Sequence, residues 1–210
     1  MAQAKRLTVR VQHIPLSYSE DDVKAALVKE LTVTEREVTK IFVSLIPSCG
    51  SEEESQDALV QFHPGPPEFL KILQSSKKEL LERQIETNGA VLNLDVHFCG
   101  LTQVSNAPLA GSTTVECVHH IRSATSLSLI RNSLVFITGL DGNAFGSWCS
   151  RSTAMMWPRE FLRDDMPNAR VLTFGYNSKL LSNASHVLDD YCTQFISSLL
   201  LARKSKDVCD

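Results

Sequence analysis

Residues 134–176 constrain the fold more than any other part of this 210-residue sequence. Residues 134–137 (LVFI) form an unbroken apolar run with two β-branched members, which is typical of a strand covered on both faces. A glycine-rich loop follows, and residues 155–166 then place apolar side chains at helical spacing, with Pro158 acceptable in the first turn. Residues 169–176 (ARVLTFGY) supply a second strand. Because two strands joined by a crossover helix pair in parallel, the stretch predicts a βαβ unit of a parallel sheet.

The same stretch contains several uncommon residues in a fixed order. They are Gly139, Leu140, Gly142, Trp148, the run Trp157-Pro158-Arg159-Glu160-Phe161-Leu162, and Pro167-Asn168-Ala169-Arg170 leading to Phe174-Gly175-Tyr176. This order resembles the opening of a family of serine-esterase-like α/β-hydrolases common in filamentous fungi. The family has a strand ending in His-Gly-Leu-Gly-Gly, a Trp-containing loop, a Trp-Pro-Arg-Asp-x-Leu helix and a strand ending in Tyr-Gly-Tyr. In this chain Thr138 replaces the family's His, and Asp141 replaces a Gly.

The resemblance implies an α/β-hydrolase sheet and an oxyanion role for the loop. In the family, the loop that corresponds here to Gly139, Leu140, Asp141 and Gly142 would lend a backbone N–H to an oxyanion hole. A hydrolase of this fold also needs a G-x-S-x-G turn, which lifts the serine into the site. No G-x-S-x-G occurs in this sequence, and in the family the acid and the histidine follow that serine. We therefore predict no catalytic residues here, and a hydrolase-like protein truncated before its nucleophile.

The first half of the chain predicts a small α+β module. Strands are expected at residues 7–14, 40–46, 57–62 and 91–96. One helix capped by Ser19 and a second beginning at residues 64–67 separate them, and residues 77–86 are predicted to be helical or loose. The order strand-helix-strand-strand-helix-strand is that of a ferredoxin-like fold, which includes RNA-recognition modules. The family's leader is similar here too, since residues 92–102 (LNLDVHFCGLT) follow its Leu-Thr-Leu-Asp-x-His-Phe-x-Gly motif.

The first module lacks the features of an RNA-binding face. RNA-recognition modules stack bases on aromatic side chains of their two central strands. In this chain Arg10, Asp57 and Leu59 fall at those positions, and residues 1–105 carry 11 basic and 15 acidic side chains, a net charge of −4. The pattern favours a protein-contact module and leaves RNA binding as a distant alternative.

Composition and charge exclude several broad classes. A hydrophobic content of 43%, a charged content of 21% and a net charge of −3 are ordinary for a globular protein and give no general attraction to nucleic acid or anionic membranes. No apolar run approaches the ~18 residues of a membrane span. Six widely spaced cysteines without C-x-x-C indicate free thiols in a reducing, cytoplasmic setting. We divide the chain into a module at 1–105, a small, polar linker at 106–114 and a hydrolase-like domain at 115–210.

Other candidate sites have simpler structural explanations. Ser147, Cys149 and Ser150 in the glycine loop could pair with His186, but no acid is placed to orient that histidine, so an idle thiol is the better reading. His119 and His120 are adjacent on a predicted strand, and their side chains point to opposite faces. His13, His63 and His97 lie by turns, and Glu52-Glu53-Glu54 has the pattern of a solvated loop. The sequence predicts neither a metal site nor a cofactor.

Two surfaces are expected to need cover, the first from a sheet or a partner and the second from another chain. A helix predicted over residues 186–204 carries one wide apolar stripe, formed by Val187, Leu188, Tyr191, Cys192, Phe195, Ile196, Leu199 and Leu200. In the family, the strand at residues 134–138 has the nucleophile-bearing strand as one neighbour, so here that edge should be open to another chain. We predict a non-catalytic protein that acts through protein contacts or self-association at this edge. The alternative is the N-terminal portion of a serine esterase whose catalytic Ser, Asp and His lie outside this chain.

Overall fold

The computed structural model describes residues 7–49, 55–75, 81–87, 89–105, 114–115, 132–139, 141–150, 155–166, 169–177 and 188–204. The strands are β1 (Thr8–Pro15), β2 (Lys40–Pro47), β3 (Ser55–His63), β4 (Glu82–Glu86), β5 (Val91–Asp95), β6 (Gly100–Gln103), β7 (Thr114–Val115), β8 (Asn132–Ile137) and β9 (Arg170–Gly175). The helices are α1 (Glu20–Glu30), α2 (Val33–Val38), α3 (Lys71–Ser75), α4 (Trp157–Glu160), α5 (Leu162–Asp165) and α6 (Leu188–Lys204). The chain is a mixed α/β protein with two sheets.

The first sheet is antiparallel, with the strand order β2-β3-β1-β5-β4. The inward face of its strands meets α1 and α3 in one apolar core, built from residues such as Val9, Val60, Leu27, Leu73 and Leu94. The alternation of the strands requires this segregation, because successive side chains point to opposite faces.

Helix α1 begins where the sequence predicts. The Ser19 side chain accepts a hydrogen bond from the Asp22 N–H, and the Asp22 carboxylate accepts one from the Ser19 N–H, which together form a capping box. The acidic first turn also suits the positive end of the helix dipole. Its apolar side, Val23, Ala26 and Leu27, is buried against the sheet. The predicted cap is confirmed.

Residues 82–86 correct one prediction of the sequence analysis. The segment 77–86 was expected to be helical or loose, whereas Glu82–Glu86 is strand β4, paired with β5. Its single buried residue, Ile85, lies opposite Leu92 and joins the core, while Glu82, Gln84 and Glu86 are exposed. A one-residue apolar signal is too weak to indicate a strand, and the pairing with β5 supplies the stabilisation.

The second sheet has the order β6-β9-β8-β7. Strands β8 and β9 pair in parallel, as predicted for the βαβ unit, and β6 runs antiparallel to β9. The connection contains two short helices rather than the one helix predicted over residues 155–166, with Pro158 in the first turn of α4 and a break at Phe161. Strand β6 lies within residues 1–105 of the chain but belongs to this second sheet.

Strand β8 is paired on its outer side only at its first two residues, which precede the stretch 134–138 whose edge was predicted to be open. Thr114 and Val115 of β7 pair in parallel with Asn132 and Ser133. Among the described residues, no strand pairs with 134–137 on that side. Most of the predicted linker (106–113) and the predicted strand that carries His119 and His120 lie outside the described residues.

The two sheets pack face to face. Ile46, Leu59 and Phe98 from the first sheet and its flank share one apolar cluster with Leu134 and Val171 of the second sheet. Helix α6 covers the opposite face of the second sheet, where Phe195 and Leu199 pack on a core that includes Leu101, Leu172 and Phe174. In the part of the chain that the structure describes, no helix is long and apolar enough to cross a membrane.

Candidate functional site

The glycine loop after β8 is the candidate site, and its backbone is held by its own hydrogen bonds. The Gly142 N–H donates to the Gly139 carbonyl at 3.2 Å, so the loop closes as a tight turn. Asp141 has a φ of 58°, in the left-handed region that a short polar side chain tolerates. A Cβ at Gly142 would lie 2.9 Å from both the Gly139 oxygen and the Thr138 Cβ, so the turn requires glycine there. Leu140 lies outside the described residues.

Asn143 anchors the loop to the first module. Its side-chain oxygen accepts hydrogen bonds from the N–H groups of Phe145 at 3.1 Å and Gly146 at 2.7 Å. Its amide nitrogen donates to the carbonyl of Val96, which follows β5, at 2.9 Å. One side chain therefore shapes the loop and joins it to the other sheet.

Ser147 takes part in the same hydrogen-bond network. Its Oγ accepts a hydrogen bond from the Asn143 N–H at 3.1 Å. The N–H groups of Gly142 and Asn143 thus both donate within the loop. An oxyanion hole needs N–H donors aimed at the substrate oxygen, and these two are already used.

Cys149 is in a setting that suppresses thiol reactivity. Burial raises the pKa of its thiol to about 11. The sulfur also lies 3.4 Å from the Phe145 carbonyl, to which the thiol donates. Because the thiolate is the nucleophile, a thiol with this pKa is inert at neutral pH. Its possible partner His186 lies outside the described residues.

The two tryptophans surround the base of the loop. Phe136 of β8 makes edge-on ring contacts with Trp148 at 5.1 Å and Trp157 at 5.3 Å between centroids. Trp148 packs on the core shared by the two sheets, and Trp157 keeps 42% of its surface exposed. On the far side, the Tyr176 hydroxyl donates to the Thr138 carbonyl at 2.9 Å. These contacts give both tryptophans a structural role at the base of the loop.

A buried polar cluster between the sheets was not anticipated. Arg10 Nε donates to Asp95 Oδ2 at 2.8 Å, and Arg10 Nη1 donates to Thr102 Oγ1 at 2.7 Å. The guanidinium group also lies 5.6 Å from the centroid of the Phe98 ring. Arg10 therefore joins β1 and β5 of the first sheet to β6 of the second. The sequence signal for this cluster was a single charged residue within a largely apolar strand, Arg10 in β1 and Asp95 in β5.

Asp57 lies on the same face of the first sheet. Burial raises the pKa of its carboxyl group to about 6, against the opposing effect of the Arg10 charge. The side chain accepts hydrogen bonds from Ser48 and from the His13 N–H, yet its Oδ1 has no partner among the described residues. His13 reaches it through a bulge in β1, where the register shifts between Val11 and Ile14 and His13 has a φ of 61°.

The three positions that sequence analysis compared with an RNA-stacking face are all covered. Arg10, Asp57 and Leu59 retain at most 3% of their surface, because the second sheet packs over them. In the described residues, no group of three His, Cys, Asp or Glu side chains could hold a metal ion. His119, His120 and Glu52-Glu53-Glu54 lie outside those residues.

Comparison with known proteins adds no relative. No family model matches the chain, and neither curated proteins nor solved structures give a match.

Proposed function

We propose that this chain acts through protein contacts and carries out no covalent chemistry of its own. In this proposal a ferredoxin-like module is joined to a sheet resembling the opening of an α/β-hydrolase. The strand order β2-β3-β1-β5 supports the first half of that description. The second is supported by the placement of β8 beside β9, with β6 beyond it. A cytoplasmic location belongs to the same proposal and is supported by the free thiols of Cys49, Cys149 and Cys192.

The internal hydrogen bonding of the glycine loop carries the proposal. Ser147 accepts from Asn143, and the Gly142 N–H donates to Gly139. The Cys149 thiol has a pKa of about 11. Nucleophilic catalysis needs N–H donors aimed at the oxyanion, whereas the N–H groups of Gly142 and Asn143 donate within the loop.

The edge of β8 is the surface that we assign to a partner. Beyond Ser133, residues 134–137 have no strand partner on that side among the described residues. Ile137, at the end of this edge, keeps 47% of its surface exposed. An apolar strand edge is a template for pairing with an extended segment of another chain. The partner in this proposal supplies a strand.

Fluorophosphonate labelling of the full chain tests the absence of serine chemistry. We expect no labelling and no hydrolysis of short p-nitrophenyl esters, by the wild type or by Ser147→Ala. Labelling that disappears in Ser147→Ala would overturn the proposal. Iodoacetamide labelling at pH 7 extends the test to the Cys149 thiol. The wild type and Cys149→Ser should be labelled to the same extent.

The second candidate is a serine esterase whose catalytic Ser, Asp and His lie outside this chain. The observation in its favour is the rigid support of the loop, where the Tyr176 hydroxyl holds the Thr138 carbonyl and Asn143 bonds to Val96. A G-x-S-x-G motif in the reading frame after Asp210 would support this candidate. Adding that segment and recovering fluorophosphonate labelling would establish it.

A further inference from the structure

Of the six stripe residues of α6 whose side chains are described, three are partly buried and three are exposed. Phe195 and Leu199 pack on the second sheet. The other half consists of Cys192, Ile196 and Leu200, spaced four residues apart along one flank, which we call the α6 flank. All three are exposed, and Ile196 and Leu200 keep 57% and 51% of their surface. The sequence analysis expected the stripe to pack on a sheet or a partner, and the α6 flank is the part of it that the second sheet leaves exposed.

The charges of α6 indicate what covers it. The helix begins with Asp189 and Asp190 and ends with Arg203 and Lys204, and no charged residue lies between them. Asp189 and Arg203 each lie seven residues, or about two turns, from Ile196, and are thus on the same side of the helix. The α6 flank is apolar at its centre, acidic at one end and basic at the other.

The charges of the α6 flank are complementary to those of a second copy of the helix that runs in the opposite direction. If two α6 helices run antiparallel with Ile196 at the centre, the acidic end of each meets the basic end of the other. A parallel pair would instead place acid against acid and base against base, which is unfavourable. A two-fold axis generates the antiparallel arrangement from a single surface.

We propose that the α6 flank is the interface of a symmetric homodimer in which the α6 helices of two copies pack antiparallel about Ile196. The apolar centre provides the contact, and the paired ends fix the direction. This interface is separate from the edge of β8 and does not depend on the function proposed for that edge.

The first experiment measures the mass of the full chain by size-exclusion chromatography with light scattering over a range of concentrations. We expect a dimer that Ile196→Asp weakens by roughly 100-fold, since a charge at a buried interface centre is left unpaired. The matched control is Gln194→Asp, which adds the same charge at an exposed position away from the flank. It should change the dimer affinity less than about 3-fold. A wild-type monomer at roughly 100 µM, or a dimer that Ile196→Asp leaves intact, would overturn the proposal.

A charge-exchange experiment tests the antiparallel direction. One variant carries Asp189→Lys and Asp190→Lys, and the other carries Arg203→Glu and Lys204→Glu. Each variant should be largely monomeric alone, because its two helix ends then have the same sign, and an equimolar mixture should form a heterodimer. Circular dichroism melts check that each variant is folded. Variants that dimerise alone as well as the wild type does, or a mixture that stays monomeric, would refute the arrangement.

Discussion

Two buried aspartates on one sheet face should respond to neutralisation in opposite ways. Asp57 is removed from water, and its Oδ1 has no hydrogen-bond partner among the described residues. Asp95 is equally buried, but it accepts from Arg10 at 2.8 Å and from the N–H groups of His97 at 2.9 Å and Phe98 at 2.6 Å. We expect Asp57→Asn to stabilise the folded protein at neutral pH and Asp95→Asn to destabilise it.

The magnitude for Asp57 follows from its pKa. Burial raises that pKa from an ordinary 3.8 to about 6, so the folded state binds the proton more tightly than the unfolded state. The free-energy cost of burying this carboxyl group is therefore smallest below pH 3.8. The stability of the fold decreases as the pH rises from 3.8 to about 6. At about 1.4 kcal/mol per pKa unit, the full loss is on the order of 3 kcal/mol above this range. An asparagine does not ionise and so avoids this loss. We expect the free energy of unfolding to rise by about 1–2 kcal/mol, because the imperfect hydrogen bonds of the amide offset part of the gain.

Urea denaturation at pH 4 and pH 7.5 measures both variants. The gain from Asp57→Asn should be small at pH 4 and largest at pH 7.5. Asp95→Asn should lose about 3 kcal/mol at pH 7.5, because Arg10 is left without its buried partner. An Asp57→Asn protein less stable than the wild type at pH 7.5, or a difference that does not vary with pH, would refute the reasoning.

Three further predictions follow from the loop and the sheet interface. Gly175→Ala should destabilise the fold by about 3 kcal/mol, because the new Cβ would lie 2.0 Å from the Phe98 oxygen; Gly139→Ala, which has open space, is the control for the same thermal melt. Asn143→Ala should cost about 1–3 kcal/mol in urea denaturation, since three hydrogen bonds are lost; an unchanged midpoint would contradict this. The full chain should bind single-stranded RNA only weakly in fluorescence anisotropy, because Arg10 and its neighbours are covered; sub-micromolar affinity that survives raised salt would show that the binding face lies elsewhere.

Local signals in the sequence were sufficient for the parts of the fold that depend on local physics. The Ser19 cap requires only residues within one helical turn, and the apolar run at β8 requires only its own composition. The parallel pairing of β8 with β9 followed from a short crossover connection. These features could be predicted without knowing what packs on them.

Features that depend on distant pairing could not be predicted in the same way. Strand β4 has one buried residue, Ile85, and becomes a strand because β5 lies beside it. Placing Arg10 and Asp57 on one sheet face was possible from their spacing, but the second sheet that covers them is set by tertiary packing. The hydrogen bonds that occupy Ser147 and Asn143 likewise depend on the loop geometry, which glycine spacing alone does not determine.

The most direct test of the proposed contact surface is amide hydrogen exchange along β8. Backbone N–H groups of residues 134–137 that face β9 should exchange slowly, since that ladder is paired. The alternate N–H groups, on the side that β7 leaves open, should exchange quickly in the free chain and become protected when a strand-supplying partner binds. Uniformly slow exchange along residues 134–137 without a strand-supplying partner would contradict the account, because it would mean that the chain closes this edge by itself.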